Sequence, residues 1–347
     1  MDLESLGWDA SLAEAFEPHR LDGLVPARAA VEHRSEYVVY TELGELRAVP
    51  AGRLRHADEH PAVGDWLAVT PRADEGRATI DAVLPRRSAF VRKAATAETR
   101  PQVVAANVDV VFVVCGLDLN YNIRRIERYL ALAWESGAQP VVLLTKADLC
   151  ESLELRVCEV ESIAYGVPVH AVSAPRSDGI ETVRSYVPSG RTAALLGSSG
   201  VGKSTLVNAL VGDRVLATRE VREDGRGRHT TTHRQLVRLP GGGLVIDTPG
   251  MRELQLWEAS DGLDAAFDEI GELASRCRFA DCAHGREPGC AVRAALADGT
   301  LDTERFESWR KLQRELERLA QKQDARARSE TRKEHARFAR SLRKTSY

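Results

Sequence analysis

No stretch of the 347 residues approaches the roughly 18 unbroken apolar positions that a membrane-crossing helix needs, so no helical span is expected. The opening residues Met1-Asp2-Leu3-Glu4-Ser5 lack both the basic region and the apolar core of a secretory signal. A cytoplasmic protein with no membrane partner is therefore expected. Six cysteines in so long a chain are too few for a disulfide framework. Cys115, Cys150 and Cys158 are scattered and read as small buried hydrophobes or incidental thiols, whereas the other three cluster. What is present is ample: 43% hydrophobic residues suffice for real cores, and the length suggests two or three domains.

The net charge of −3 conceals an uneven distribution. Arg305 to Tyr347 holds 14 Lys/Arg against 6 Asp/Glu, which makes that segment +8 and leaves −11 for residues 1–304. Within it, Phe306 to Lys322 reads as a helix, with Phe306, Trp309, Leu312, Leu316 and Leu319 mostly on one face. Arg326, Arg328, Arg332, Lys333, Arg337, Arg340, Arg343 and Lys344 then form a basic face. A solvated, charged helix is the ordinary reading, and an RNA backbone is the functional one.

Gly197-Ser198-Ser199-Gly200-Val201-Gly202-Lys203-Ser204 meets every fixed position of the phosphate-cradling pattern G-x-x-x-x-G-K-[ST]. Thr192 to Leu196 reads as a buried strand before it, and Ser204 to Val211 opens a helix after it. Backbone N–H groups at a positive helix terminus would wrap the α- and β-phosphates. Lys203 would reach the β/γ-phosphates, and Ser204, followed by Thr205, would hold Mg²⁺. A glycine-rich strand-to-helix turn is the bland alternative, but strand, lysine and hydroxyl together favour a nucleoside triphosphate.

The base motifs lie upstream. Pro140 to Leu144 is a second apolar strand, ending in Thr145-Lys146-Ala147-Asp148, which matches N-K-x-D in its last two fixed positions. A carboxylate at Asp148 accepts two hydrogen bonds from guanine and would stand unpaired against adenine. Pro168 to Val172 runs into Ser173-Ala174, a pair like the S-A motif that meets guanine O6. Gly243 to Ile246 leads into Asp247-Thr248-Pro249-Gly250, a D-x-x-G motif that would hold Mg²⁺ through Asp247 and meet the γ-phosphate through Gly250. Each short motif is weak alone. Their order of base motif, S-A, phosphate loop and D-x-x-G is informative, because ordinary small GTPases carry the phosphate loop first. The expected fold is a circularly permuted α/β GTPase domain, a rearrangement tolerated when termini lie close together.

Cys277-x₄-Cys282-x-His284-x₅-Cys290 supplies three sulfurs and an imidazole, a set suited to tetrahedral Zn²⁺. With four ligands the site would be closed and structural, although its spacing is not that of a common zinc finger. A chance cluster of reduced thiols is the alternative. A segment this poor in apolar residues gains much of its fold from a metal.

Between Leu24 and about Ala89 the chain alternates short β-rich runs with turns: Ala27–Glu32, Tyr37–Thr41, Gly44–Val49, Trp66–Thr70 and Ala78–Leu84. Five short strands suit a small closed β-barrel, either the oligonucleotide-binding fold (OB-fold) or another small barrel. A linker with Arg92, Lys93 and Arg100 would join it to the GTPase domain, and residues 1–23 read as an arm on the barrel. The expected domains are 1–95, 96–262 and 263–347, the last a mainly helical zinc-binding region with a basic tail.

Taken together, the chain resembles the ribosome small-subunit-dependent GTPase family RsgA, also called YjeQ. The resemblance rests on the Pro61–Trp66 turn of the barrel, the permuted motif order, Gly227-Arg228-His229-Thr230-Thr231-Thr232, the D-x-x-G motif and the Cys/His cluster. It implies a late maturation factor that binds the small ribosomal subunit and its rRNA, and whose GTP hydrolysis to GDP is stimulated by that particle. A monomer is expected. One departure is Thr145, where the family often has Asn. Thr218 to His233, with Arg219, Arg222, Arg226 and Arg228, takes the position of switch I, and the resemblance favours Thr231 as its Mg²⁺ ligand. Where most GTPases place a water-orienting Gln after D-x-x-G, this chain has Met251, and His229 resembles the family's replacement. An exposed bystander is the plain reading of that histidine. Two further readings remain: a nucleotide-gated RNA-binding scaffold, and a permuted GTPase of the large subunit.

Overall fold

The computed structural model describes residues 1–20, 22–33, 36–56, 60–93, 101–212, 234–247 and 260–321. Five strands come first: β1 (Val25–Glu32), β2 (Tyr37–Thr41), β3 (Gly44–Pro50), β4 (Trp66–Arg72) and β5 (Arg77–Val83). They pair in the order β1-β2-β3-β5-β4, and β4 returns to pair with β1 from Val25↔Val69 to Arg28↔Trp66, closing the barrel. The β3–β5 pair is parallel and the others antiparallel, the connectivity of an OB-fold. Strand β2 alternates buried and half-buried residues, as period-two patterning requires. Small residues Ala27, Ala29, Ala48 and Ala78 share the narrow interior with Val39, Leu67 and Ile80.

Two features set the turn before β4, the first of them against β7. Gly64, at φ +91°, approaches so closely that a Cβ there would meet the Ala106 carbonyl oxygen at 2.2 Å. The buried Asp65 carboxylate accepts the Ala62 amide at 2.7 Å and two N–H groups of Arg86 at 2.8 and 2.7 Å. The N-terminal arm adds helix α1 (Ala10–Arg20), with Leu12 and Phe16 buried and Trp8 edge-on to Trp66 at 4.8 Å. A short α2 (Gly52–His56) follows β3. The expected linker differs: β6 (Ala89–Lys93) and β7 (Pro101–Ala106) pair antiparallel, so both Arg92 and Lys93 lie on a strand.

The central region contains β8 (Val110–Gly116), α3 (Ile123–Glu135), β9 (Gln139–Thr145), α4 (Leu153–Glu161), β10 (Val169–Val172) and α5 (Ile180–Ser185). It continues through β11 (Thr192–Leu196), α6 (Lys203–Val211), β12 (Arg234–Arg238) and β13 (Leu244–Asp247). The sheet order is β10-β9-β8-β11-β13-β12, parallel except for β12. Strand β8 is buried throughout, as expected of a strand covered on both faces. On one side of β11 lie β8, β9 and β10, which precede it in the chain, and on the other lie β13 and β12, which follow it. That arrangement is the permuted fold: the phosphate loop leaves the centre of the sheet at the point where strand order reverses. The barrel continues this sheet, since β1 pairs with β12 at Val31↔Gln235 and Glu32↔Arg234.

Helices α7 (Ser260–Ala266), α8 (Asp268–Ser275), α9 (Ala291–Asp298) and α10 over residues 303–321 complete the described chain. Phe267, Ile270, Phe306, Trp309 and Leu312 share one core with Ile126 and Leu130 of α3. Gly262 permits the approach of α7 to α3, since a Cβ there would meet the Ala131 carbonyl oxygen at 2.4 Å. Among the described residues no helix is long and apolar enough to cross a membrane.

Candidate functional site

At the C-terminal end of β11 the chain turns through Gly197, where any Cβ would lie 2.4 Å from the Val114 carbonyl oxygen. Gly200 and Gly202 adopt φ +77° and +95°, conformations that favour glycine. Helix α6 then begins at Lys203, with Ser204 and Thr205 in its first turn. The resulting helix terminus concentrates free N–H groups, the arrangement that receives phosphate. The Lys203 ammonium donates to the carbonyls of Gly197 and Ser198 at 2.7 and 2.6 Å, which keeps its charge over the loop.

The base motifs converge on this loop. Thr145 is buried, and its hydroxyl donates between the Cys115 carbonyl at 3.2 Å and the Val201 carbonyl at 2.5 Å. It thereby ties β9 to β8 and to the phosphate loop across 56 residues of sequence. Lys146 takes a left-handed conformation at φ 59° and places its ammonium 2.5 Å from Asp118 Oδ2. Partial burial pushes the Asp118 carboxyl up, but Lys146 and the Asn120 amide outweigh it and hold the group below its usual value. The Ser173 hydroxyl donates to Asp148 Oδ1 at 2.6 Å and lowers the pKa of that carboxyl in the same way. Ser173 is itself fixed by exchanging two backbone hydrogen bonds with Asp178, both 3.0 Å, which leaves Ala174 beside the pair. An ionised carboxylate, held just past the end of β9 by a neighbouring hydroxyl, is the group that guanine recognition requires.

Asp247 closes β13, the strand in register with β11 through Ala194↔Ile246, so it lies one strand away from the phosphate loop. His229, Thr231, Gly250 and Met251 lie outside the described residues, as do the basic positions from Arg326 to Lys344. Three contacts were not anticipated from the sequence. Arg125 donates to Ser198 Oγ at 2.8 Å, Tyr129 OH lies 3.2 Å from the same atom, and Asp118 holds Lys146. A partial signal existed: Asn122 precedes apolar residues at Ile123, Ile126 and Leu130, and its side chain accepts the Arg125 amide as a helix cap. That pattern announces α3 but not what α3 touches.

The Cys/His cluster forms a second centre. One donor atom each from Cys277, Cys282, His284 and Cys290 lie within 4.8 Å of one another. Cys277 and Cys290 sulfurs are 3.8 Å apart, and His284 Nδ1 is 3.6 and 3.5 Å from them. Tetrahedral Zn–S bonds of about 2.3 Å require S···S edges near 3.8 Å, and the shorter Zn–N bond requires slightly less. The donor set therefore fits zinc in both chemistry and spacing. Cys290 caps α9, its sulfur accepting the Arg293 amide at 3.4 Å. The His284 ring packs on Phe306 and Trp309 at centroid distances of 6.5 and 5.8 Å.

Residues 83–257 match the RsgA GTPase family, and residues 192–325 match a family described as 50S ribosome-binding GTPase. The small ribosomal subunit biogenesis GTPase RsgA of Opitutus terrae is 50% identical over 338 residues, spanning 93% of this chain and 92% of that protein. Its counterpart in Streptomyces coelicolor is 49% identical over 340 residues, spanning 96% and 92%. Among solved structures, YjeQ from Thermotoga maritima aligns with a TM-score of 0.64 at 30% identity, over 84% of this chain and 98% of that one. YloQ, a circularly permuted GTPase, aligns at 0.63 and 23% identity over 85% and 95%, which shows a shared fold. With about half of its residues in common across nearly the whole of such relatives, the chain belongs to the RsgA family of GTPases.

Proposed function

We propose that this GTPase binds the small ribosomal subunit late in its maturation, is stimulated by it, and leaves after converting GTP to GDP and phosphate. The observation that carries the reading is the likeness to small-subunit biogenesis GTPases over 93% of the chain, which includes both flanking modules as well as the nucleotide fold. In this reading Asp148 selects guanine, with Lys146 and Thr145 holding its loop and Ser173 and Ala174 beside the base. Gly197 to Thr205 cradle the phosphates, and Lys203 stabilises charge on the β/γ oxygens. Mg²⁺ bound with GTP neutralises charge on the phosphates, and Ser204, Thr231 and Asp247 are the residues to hold it, while the Gly250 amide meets the γ-phosphate. His229 places the attacking water that Met251 is unable to orient.

The remaining assignments follow the same frame. Residues 1–95 form an RNA-facing barrel with its arm, 96–262 the GTPase domain, and 263–347 a module built on one structural zinc. The barrel and the basic tail meet rRNA phosphate, and the protein works in the cytoplasm as a monomer. The match of residues 192–325 to a family described as 50S ribosome-binding makes the large subunit the rival partner. GTP turnover measured with purified small and large subunits separates the two. Stimulation by small subunits alone is expected. Stimulation by large subunits only, or none by either, overturns the proposal.

A further inference from the structure

At the end of the central sheet remote from the phosphate loop, where β8 and β11 begin, lies an open cavity of about 270 Å³. Its walls come from three regions: the arm through Trp8, the barrel through Arg28 and Trp66, and the GTPase region through Asn107, Asp109 and Arg191. Arg28 is only 2% exposed. Its Nη1 donates to the Leu6 carbonyl at 2.8 Å, and its Nη2 donates to the Asn107 carbonyl at 3.0 Å and Thr192 Oγ1 at 3.1 Å. All three acceptors are neutral. The buried Nε–H has no acceptor among the described residues, and none of their carboxylates forms an ion pair with Arg28.

A buried cation without an anionic partner is costly, because burial removes its hydration and nothing of opposite charge replaces it. Desolvation accordingly lowers the Arg28 guanidinium to about 10, and the more distant Asp109 and Asp65 offset this only in part. Of the acidic groups on the cavity wall, Glu4 is exposed and the other two are committed elsewhere. Asp109 accepts the Thr192 amide at 2.7 Å, and Asp9 pairs with Arg87 at 2.5 Å. Arg191 stands exposed on the same cavity wall and adds a second cation at the mouth. Trp8 and Trp66 supply an apolar side, with the Arg28 guanidinium 5.1 Å from the Trp66 ring centre.

We propose that this cavity is a binding site for a small oxyanion, a carboxylate or phosphate compound, held by Arg28 and Arg191 and resting against Trp8. Because arm, barrel and GTPase region each contribute a wall, an occupant fastens their junction. It does so from the opposite end of the sheet to the nucleotide.

The test uses the full chain saturated with GDP and Mg²⁺, so that added anions do not compete for the phosphate loop. Malonate and citrate form one arm, and inorganic phosphate and pyrophosphate the other, all at constant ionic strength. Tryptophan fluorescence and melting temperature are followed. One class should bind saturably and raise the melting temperature by about 2–4 °C at several-fold excess over its Kd. The responding arm identifies the ligand as carboxylate or phosphate. Arg191→Ala should weaken that binding about tenfold or more, as loss of one charge-assisted contact requires, while GDP affinity stays as it was. Arg28→Lys should weaken it too, and Arg191→Ala decides should that variant not fold. No saturable binding by any probe, or equal affinity in Arg191→Ala, overturns the proposal and leaves Arg28 a structural clasp.

Discussion

Thr145 shows how much can rest on one hydroxyl. It stands where the family often has Asn, and its side chain reaches the phosphate loop at Val201 and β8 at Cys115. Thr145→Val keeps the shape and removes both contacts, leaving two buried carbonyls to find other donors at roughly 1–3 kcal/mol. Guanine-nucleotide affinity should fall about tenfold in a fluorescent-GDP titration, with the melting point lower by a few degrees. An unchanged affinity would show that the loop holds its form without this link. Asp148 is tested differently. Asp148→Asn keeps size and removes charge, so discrimination against ATP and XTP in a competition titration should drop while the fold persists. Legibility at this scale followed sequence separation: the loop, Asp148 and the Cys/His donors are local motifs. Arg125 on Ser198, 73 residues apart, joins two elements by packing alone and leaves no local trace.

Among the helices, α3 links the phosphate loop to the C-terminal helices. Its N-terminal half touches Ser198 through Arg125 and Tyr129, and its flank carries a buried ionic cluster facing the C-terminal helices. Glu127, fully buried, accepts from Arg124 at 2.6 Å and from Arg305 at 3.0 Å, while Arg128 and Glu315 form a bidentate pair at 2.7 Å for both bonds. Arg305 also reaches Glu269 at 2.5 Å and the Ala266 carbonyl at 2.8 Å. Removing one member of such a cluster strands the rest. Arg305→Ala should cost roughly 3–5 kcal/mol in denaturant unfolding. The double variant Arg305→Met with Glu127→Met should recover much of that loss, since paired apolar substitutes need no hydration. Additive losses would show that the two side chains act independently. Among strands, the five barrel runs were legible from alternation and four sheet strands from the motifs that end them or follow them. The polar-rich β12, the fully apolar β8 and the β6–β7 pair ended in no such motif.

On the scale of the whole molecule, the zinc-fitting cluster and the nucleotide site share one scaffold, because the C-terminal helices and α3 contribute to the same core. Metal removal should therefore have two separable effects. Without the ion, three sulfurs and an imidazole crowd together with no shared charge to hold them, and His284 loses its reason to stay against Phe306 and Trp309. Trp309 emission should shift to longer wavelength on chelation or in Cys282→Ser, reporting that the C-terminal packing has opened. The phosphate loop and Asp148 are built from β8, β9, β11 and α6, none of which carries a residue of the Cys/His cluster. Guanine affinity and basal turnover should stay within a few-fold of the intact protein. Stimulation by small subunits should largely vanish, since the basic tail proposed to meet rRNA has lost its frame. Metal analysis finding no zinc in freshly reduced protein would remove the assignment outright. Stimulation that survives chelation would place subunit recognition in the barrel and arm instead, and would leave the C-terminal module a brace for α3.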